Sequence, residues 1–441
     1  MAHFPKILLI GDSDSQLLAC ESLALVFLSR GFDVTVNAVP RMGTPNEILE
    51  RIRRAVELWQ LPIIELVRSS AITSFSAIGV FLVGSKLVEV RKKIEMLSYS
   101  YKPLLFCGFN GIVLEGFEEA ITWRLGYDLI CLNGPRDKSS YDRLIADTPF
   151  QCQKVVVHSL CRRTIDVNEL DCLENRPKTL VFAEQVAMPS KQIDRHRMMM
   201  ILAGLAQRSP DWQIVLKPRI APGERTFHSV KQHISTTYRE SSAFIPENFV
   251  LDYSPLPELL AKARILATVS STAFFDALDY GVKPLIMLDL GILDCSGTHT
   301  FIGSDVCKVL DEYSDIDQLE AQLTWPNKLW LDWVGYRKDN TDSNLIEEIS
   351  QWSKDPNKES HLNLDHPGYI VNSKRLSFND LRRNAERAIS KGNIAEAEAW
   401  LELAQHIRPD HRNLARRLSA LRHENGILRK LAIALTPKFK G

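Results

Sequence analysis

The chain has 441 residues, 45% hydrophobic and 24% charged, with 54 Lys/Arg against 54 Asp/Glu. That length exceeds one ordinary core, so two domains, or two and a tail, are expected. The balanced charge excludes a global field that would draw nucleic acid. No window reaches the roughly 18–20 apolar residues of a membrane span, which points to the cytoplasm.

The alternation of elements starts at once. "KILLIG" reads as a buried strand, "DSDSQ" as a loop, and Leu17 to Ser29 as a helix closed by Gly31. "DVTVNAV" is the next strand, and "NEILERIRRAVELW" is an amphipathic helix with apolar residues three and four apart. "PLLFCGFNG" runs from strand into a glycine loop, "VLEGFEEAITWRLG" is a helix, and "YDLICLNGP" and "QKVVVHSL" are further strands. Strands alternating with helices imply a parallel sheet covered on both faces. The polar stretch "DVNELDCLENRPK" leads into a second series. It runs through "TLVFAEQ", a helix around Arg195 to Arg208, "DWQIVLKPR", "NFVLDYS", "RILATVSS", "TAFFDALDYG" and "KPLIMLD". The expected organisation is two doubly wound α/β domains, residues 1–170 and 171–325, with their strand ends facing a shared cleft. Residues 326–373 read as connecting helices and loops, and 374–441 as a basic helical tail.

None of the eight cysteines forms a C-x-x-C pair, so no zinc site is expected. The tail holds 15 Lys/Arg against 7 Asp/Glu. Its Ala-rich helices, turning at "KGN" before Pro409, resemble one tetratricopeptide unit. An anionic membrane surface or a protein partner is its expected contact; a solvated tail packed on its own domain is the alternative.

Ser270, Ser271 and Thr272 fall where a strand ends and a helix begins. Hydroxyls there cap the helix, or join its free N–H groups around a phosphate. Lys217 and Arg219, stiffened by Pro218 at another strand end, suit an anion, or are a solvated surface pair. Asp276, one turn into the helix, could accept a ribose hydroxyl, or sit as an ordinary exposed acid.

Two doubly wound domains with "KPR" after one strand and "SST" after another resemble a GT-B glycosyltransferase. The two motifs are similar to the His-Pro and Ser-Ser elements of bacterial sialyl- and Kdo-transferases, which use CMP-activated sugars; Lys217 stands here in place of the histidine. "GDSDS" and "KPRIAPGERTFH" also resemble bacterial proteins assigned as glycosyltransferases by resemblance alone. The resemblance implies a nucleotide-sugar donor in the second domain, CMP-Kdo before UDP-sugars, and an acceptor glycan or glycolipid of the bacterial surface in the first.

Glycosyl transfer needs a carboxylate near the anomeric carbon and positive charge for the leaving phosphate. Asp14 and Asp12, after the first strand, and Glu184, after "TLVFA", are the candidates. Helix capping is the alternative for Asp14 and a solvated strand end for Glu184. The glycines of "GFNG" and "NGPRD" allow close approach to a ligand, or serve plain turns. Gly223 to Arg225 with His228 follow Lys217 closely and are expected as a flap over the donor, or His228 is structural. "DSD" has D-x-D spacing but lies in the acceptor domain, so neither a metal nor a cofactor is expected. A sugar-nucleotide epimerase of the same build and a non-catalytic scaffold are the competing readings.

Overall fold

The computed structural model describes residues 5–436 except 42–43, 45, 98–101, 115, 147–152, 161–164, 166–169, 187, 225–231, 293–295, 337–342 and 353–375. The expected flap at Arg225 and His228, three cysteines (Cys152, Cys161 and Cys295), the later part of the connecting region and the last five residues of the tail lie outside them.

The first domain runs β1 (Lys6–Gly11), α1 (Asp14–Ser29), β2 (Asp33–Ala38), α2 (Asn46–Ala55), β3 (Glu57–Trp59), α3 (Ile63–Arg68), β4 (Ala77–Val80), α4 (Ser85–Glu95), β5 (Leu104–Cys107), α5 (Phe117–Thr122), β6 (Leu129–Leu132), α6 (Pro135–Ile145) and β7 (Val155–Val157). Among the described residues its seven strands are ordered β3-β2-β1-β4-β5-β6-β7, all parallel. The central strands are apolar throughout because helices cover both faces: Ile7 and Leu9 pack on one side, Leu8 and Ile10 on the other. Helix α1 begins at Asp14, three residues before the apolar pattern starts. Ser13 is extended there, and an acid in the first turn suits the helix dipole.

The second domain runs β8 (Thr179–Ala183), α7 (Gln192–Gln207), β9 (Gln213–Lys217), α8 (Ile234–Glu240), β10 (Phe249–Leu251), α9 (Leu256–Leu260), β11 (Ile265–Thr268), α10 (Ala273–Asp279), β12 (Lys283–Met287), β13 (Cys307–Lys308), α11 (Ile316–Gln322) and α12 (Lys328–Val334). The strand order is β10-β9-β8-β11-β12-β13, again parallel. In both sheets the order reverses beside the first strand, between β1 and β4 and between β8 and β11. Ligands of open α/β sheets bind in the crevice outside such reversals.

The chain then returns to the first domain. Helix α13 (Ser343–Trp352) buries Leu345 and Ile349 in the core beside β1, and Trp352 Nε1 donates to Lys102 O at 3.1 Å. At the crossing, the backbones at Gly134, after β6, and Gly335, after α12, touch. A Cβ on Gly335 would lie 1.6 Å from Asn133 O. Ile112, from the loop after β5, is buried in the core of the second domain. The domains therefore share a close-packed seam on one side.

The tail is α14 (Phe378–Ser390), α15 (Ile394–Ile407), α16 (Arg412–Leu421) and α17 (Gly426–Leu435). It has its own core, with Leu381, Trp400, Leu401, Leu414 and Leu418 among its members. A Ser377–Asp380 capping box starts it. Among the described residues no helix is long and apolar enough to cross a membrane.

Candidate functional site

The carboxyl ends of the two sheets face each other, and loops from both meet across the cleft. On the first-domain side, Asp12 follows β1 and is only 2% exposed. Its Oδ1 accepts from Arg41 Nη1 at 2.8 Å, its Oδ2 accepts from Lys86 Nζ, and its N–H donates to Gln16 Oε1 at 2.7 Å. Arg41 comes from the loop after β2 and Lys86 from the start of α4. A buried carboxylate is tolerated because two cations surround it. These three side chains mark the reversal point of the first sheet.

Asp14 lies two residues on and is open to solvent. Its Oδ2 accepts from Arg219 Nη2 of the second domain at 2.8 Å, an ion pair across the cleft with side chains 39% and 60% exposed.

On the second-domain side, three neighbouring strand ends line up. Lys217 ends β9 and Arg219 follows it, Glu184 and Gln185 follow β8, and Ser270 to Thr272 follow β11. Lys217 and the hydroxyls thus share one sheet edge, two strands and about 10 Å apart, rather than facing each other. Glu184 is buried. Its Oε2 accepts from the Arg219 N–H at 3.1 Å, and Arg195 Nη1 lies 3.7 Å from Oε1. Arg219 therefore touches two of the three candidate carboxylates, Glu184 through its backbone and Asp14 through its guanidinium. Lys217 is half-buried and Nζ donates to Pro218 O at 2.6 Å. Burial, then the charge of Arg219, draws its ammonium below the ordinary lysine value.

The three hydroxyls do different things. Ser270 is buried at the reversal point. Its N–H donates to Gln185 Oε1 at 2.9 Å, and its Oγ accepts from Gln185 Nε2 at 3.2 Å. Ser271 Oγ caps α10 by accepting from the Ala273 N–H at 3.2 Å. Thr272 is exposed, and a Cβ on Gly111 of the first domain would lie 3.8 Å from its Cγ2. The N–H groups of Ser271 and Thr272 have no hydrogen-bond partner among the described residues. Two amides without a partner among the described residues and one exposed hydroxyl thus stand at the start of α10, beside the "GFNG" loop. Asn133 of "NGPRD" steadies that loop by donating from Nδ2 to Gly111 O at 2.9 Å. Asp276 is half-buried, one turn into α10.

Sequence reasoning missed Gln185, Arg195, Arg41 and Lys86. Gln185 was legible as the residue after Glu184 at a strand end. Arg195 had no local signal: it sits in α7 and reaches back to Pro189 O, at 2.8 Å, and to Val186 O.

Burial raises the Glu184 carboxyl above its ordinary 4.5; the Arg219 amide, Arg195, His233 and Lys217 oppose this without cancelling it. The folded chain holds this proton more tightly than the unfolded one, so ionisation costs folding free energy as pH rises past about 4.5. Glu184→Gln is therefore expected to match the wild type in thermal stability at about pH 4 and to exceed it at about pH 7.5. A variant that melts below the wild type at the higher pH would show that the Arg195 contact outweighs burial.

Two parallel α/β domains, a cleft between their strand ends and a helix returning to the first domain define the GT-B class of fold. Residues 7–351 match the family described as "Putative glycosyltransferase (DUF6716)", and the chain belongs to that family. No curated protein matches it in sequence. Among solved structures, Arabidopsis thaliana UGT89C1 complexed with UDP is similar at TM-score 0.53 and 12% identity, over 79% of this chain and 99% of that one. A UDP-glucosyltransferase from Polygonum tinctorium is similar at TM-score 0.51 and 11% identity, over 80% of this chain and 100% of that one. A structure titled "putative UDP-N-acetylglucosamine 2-epimerase" from Listeria monocytogenes is similar at TM-score 0.52 and 13% identity, over 82% and 100%. At these identities the likeness is one of fold.

Proposed function

We propose that this chain transfers a sugar from a nucleotide-activated donor, bound at the β8/β11 edge, to a hydroxyl of a glycan or glycolipid held by the first domain. The observation that carries this reading is the convergence on Arg219. A cation suited to a leaving phosphate and a carboxylate suited to a base, Asp14, meet across the cleft from opposite domains. Both are well exposed, and such a pair is worth only about 0–1 kcal/mol, so substrates separate it at little cost.

In the proposed reaction the Asp14 carboxylate takes the acceptor hydroxyl proton. The acceptor oxygen bonds the anomeric carbon as the bond from that carbon to the phosphate oxygen breaks, and the nucleotide leaves with the electron pair. Arg219, Lys217, the Thr272 hydroxyl and the Ser271 and Thr272 amides hold the leaving phosphate. Glu184 is a positioning residue that fixes the Arg219 backbone. Asp12 is another, holding Arg41 and Lys86 under the acceptor side. The "DSD" oxygens are engaged by Arg41, Lys86 and Arg219, which favours metal-independent transfer. Two amides and one hydroxyl suit a single phosphate, which favours a CMP-sugar such as CMP-Kdo, with UDP-sugars second.

A thermal-shift screen with CMP, UDP and GDP tests the donor site, since a ligand at about 100 times its Kd adds roughly 2.7 kcal/mol. One nucleotide is expected to raise Tm, and Lys217→Ala to weaken its binding about tenfold by calorimetry, the loss of one charge-assisted hydrogen bond. No shift with any nucleotide would overturn the reading. Unchanged affinity in Lys217→Ala would remove that lysine from the site. Sugar transfer to an added acceptor, rather than isomerisation of the donor alone, separates a transferase from an epimerase.

A further inference from the structure

We infer that helix α17 is an interfacial anchor that lays its apolar face on an anionic lipid surface. Ten residues long, it has no buried residue, yet Ile427, Leu428, Leu431 and Leu435 are all large aliphatics, 48–82% exposed. At 100° per residue these four fall within a stripe of roughly 100° on one side of the helix. Ile433, on the other side, packs on the tail core, and its carbonyl accepts from the buried Arg417. Arg417 Nη1 also donates to Thr436 Oγ1 at 2.7 Å, and its Nη2 to Glu386 Oε2 at 2.7 Å. The helix is thus pinned along its inner side, with the leucine stripe turned away from the tail core.

Charge selects the occupant. From Arg412 to Gly441 the sequence holds eight Lys/Arg and one acidic residue, Glu424; Arg417 is buried on Glu386 and Arg422 is paired with Glu398 and Glu402, which leaves six basic residues against Glu424. Lys430 is exposed and flanks the stripe, one helical turn before Ala434. A second copy seated on this face would set like-charged segments against each other. Protein interfaces also deplete lysine from their cores. An anionic bilayer satisfies both halves of the pattern: acyl chains take the stripe and headgroups take the cations. A helix with a one-sided apolar face and basic residues beside it, here Arg429 and Lys430, lies in the plane of the interface, and each basic residue near an anionic surface adds attraction that fades within a Debye length.

The test is co-sedimentation of the full chain with phosphatidylcholine vesicles, with and without phosphatidylserine, at low and high salt. Binding to the anionic vesicles is expected to exceed binding to neutral ones by about tenfold or more and to weaken with salt. The double variant Leu431→Asp with Leu435→Asp changes only exposed positions, so its circular dichroism and Tm should match the wild type while vesicle binding falls about tenfold or more. Three outcomes overturn the proposal. The full chain fails to bind anionic vesicles at low salt. The double variant binds as well as the wild type. Or the stripe instead supports concentration-dependent self-association that the double variant abolishes, which would make it a protein interface.

Discussion

Asp14→Asn is expected to lower the rate of sugar transfer about 100-fold or more while leaving nucleotide affinity within a few-fold of the wild type. Asparagine keeps the shape of the side chain and can still accept a hydrogen bond from Arg219, but it cannot take the acceptor proton. The loss therefore falls on the chemical step. Released from the ion pair, Arg219 is freer to meet the donor phosphate, so binding has no reason to weaken. Glu184→Gln is the contrasting variant. The glutamine oxygen still accepts the Arg219 N–H that Glu184 holds at 3.1 Å, so transfer should stay within about tenfold of the wild type. Kinetics with the sugar of whichever nucleotide stabilises the chain decide between them. A wild-type rate in Asp14→Asn would move the base elsewhere. A collapse in Glu184→Gln alone would make Glu184 the reacting carboxylate.

Gly335→Ala is expected to destabilise the chain by about 3 kcal/mol or more. Two costs combine. The backbone there has φ +84, a region that disfavours any side chain, and a Cβ would lie 1.6 Å from Asn133 O and 2.4 Å from Asn133 C. Backbone cannot swing aside as a flexible side chain does, so the seam between the domains must open. Gly223→Ala supplies the control. Its φ is +81, but among the described residues nothing lies within 4 Å of the added methyl, so only the conformational cost of about 1 kcal/mol applies. Thermal melts of both variants check this. Equal losses would show that the contact between Gly134 and Gly335 contributes nothing.

Much of the fold was legible because its signals are local. Apolar runs such as "KILLIG" and "RILAT" alternate with 3.6-period stretches such as "NEILERIRRA", and a chain that alternates them has few architectures open to it. The candidate site was legible only in part. Strand ends carrying "DSD", "EQ", "KPR" and "SST" must reach the carboxyl edge of a parallel sheet, so their placement follows from sequence. Which of their atoms remain open to a ligand does not. Of the three hydroxyls, Ser270 is taken by Gln185, 85 residues away, and Ser271 by its own helix, leaving Thr272 exposed.

The sequence by itself did not pick out β4 or α4, and it read Glu57–Trp59 as the end of a helix where β3 forms; what it determined was the alternation of strands and helices in two parallel sheets, the glycine loops at the strand ends and the charge of the tail. Each depends on side-chain periodicity, turn chemistry or composition within a short window. Only the tertiary structure decided that Asp12 is enclosed by Arg41 and Lys86, 29 and 74 residues distant, while Asp14, two residues on, reaches Arg219 across 205 residues and a domain boundary. It also decided that α13 returns to the first domain and that Gly335 locks the crossing. These contacts depend on the relative position of whole layers, set by the packing of many side chains at once, and no local pattern in the chain encodes them.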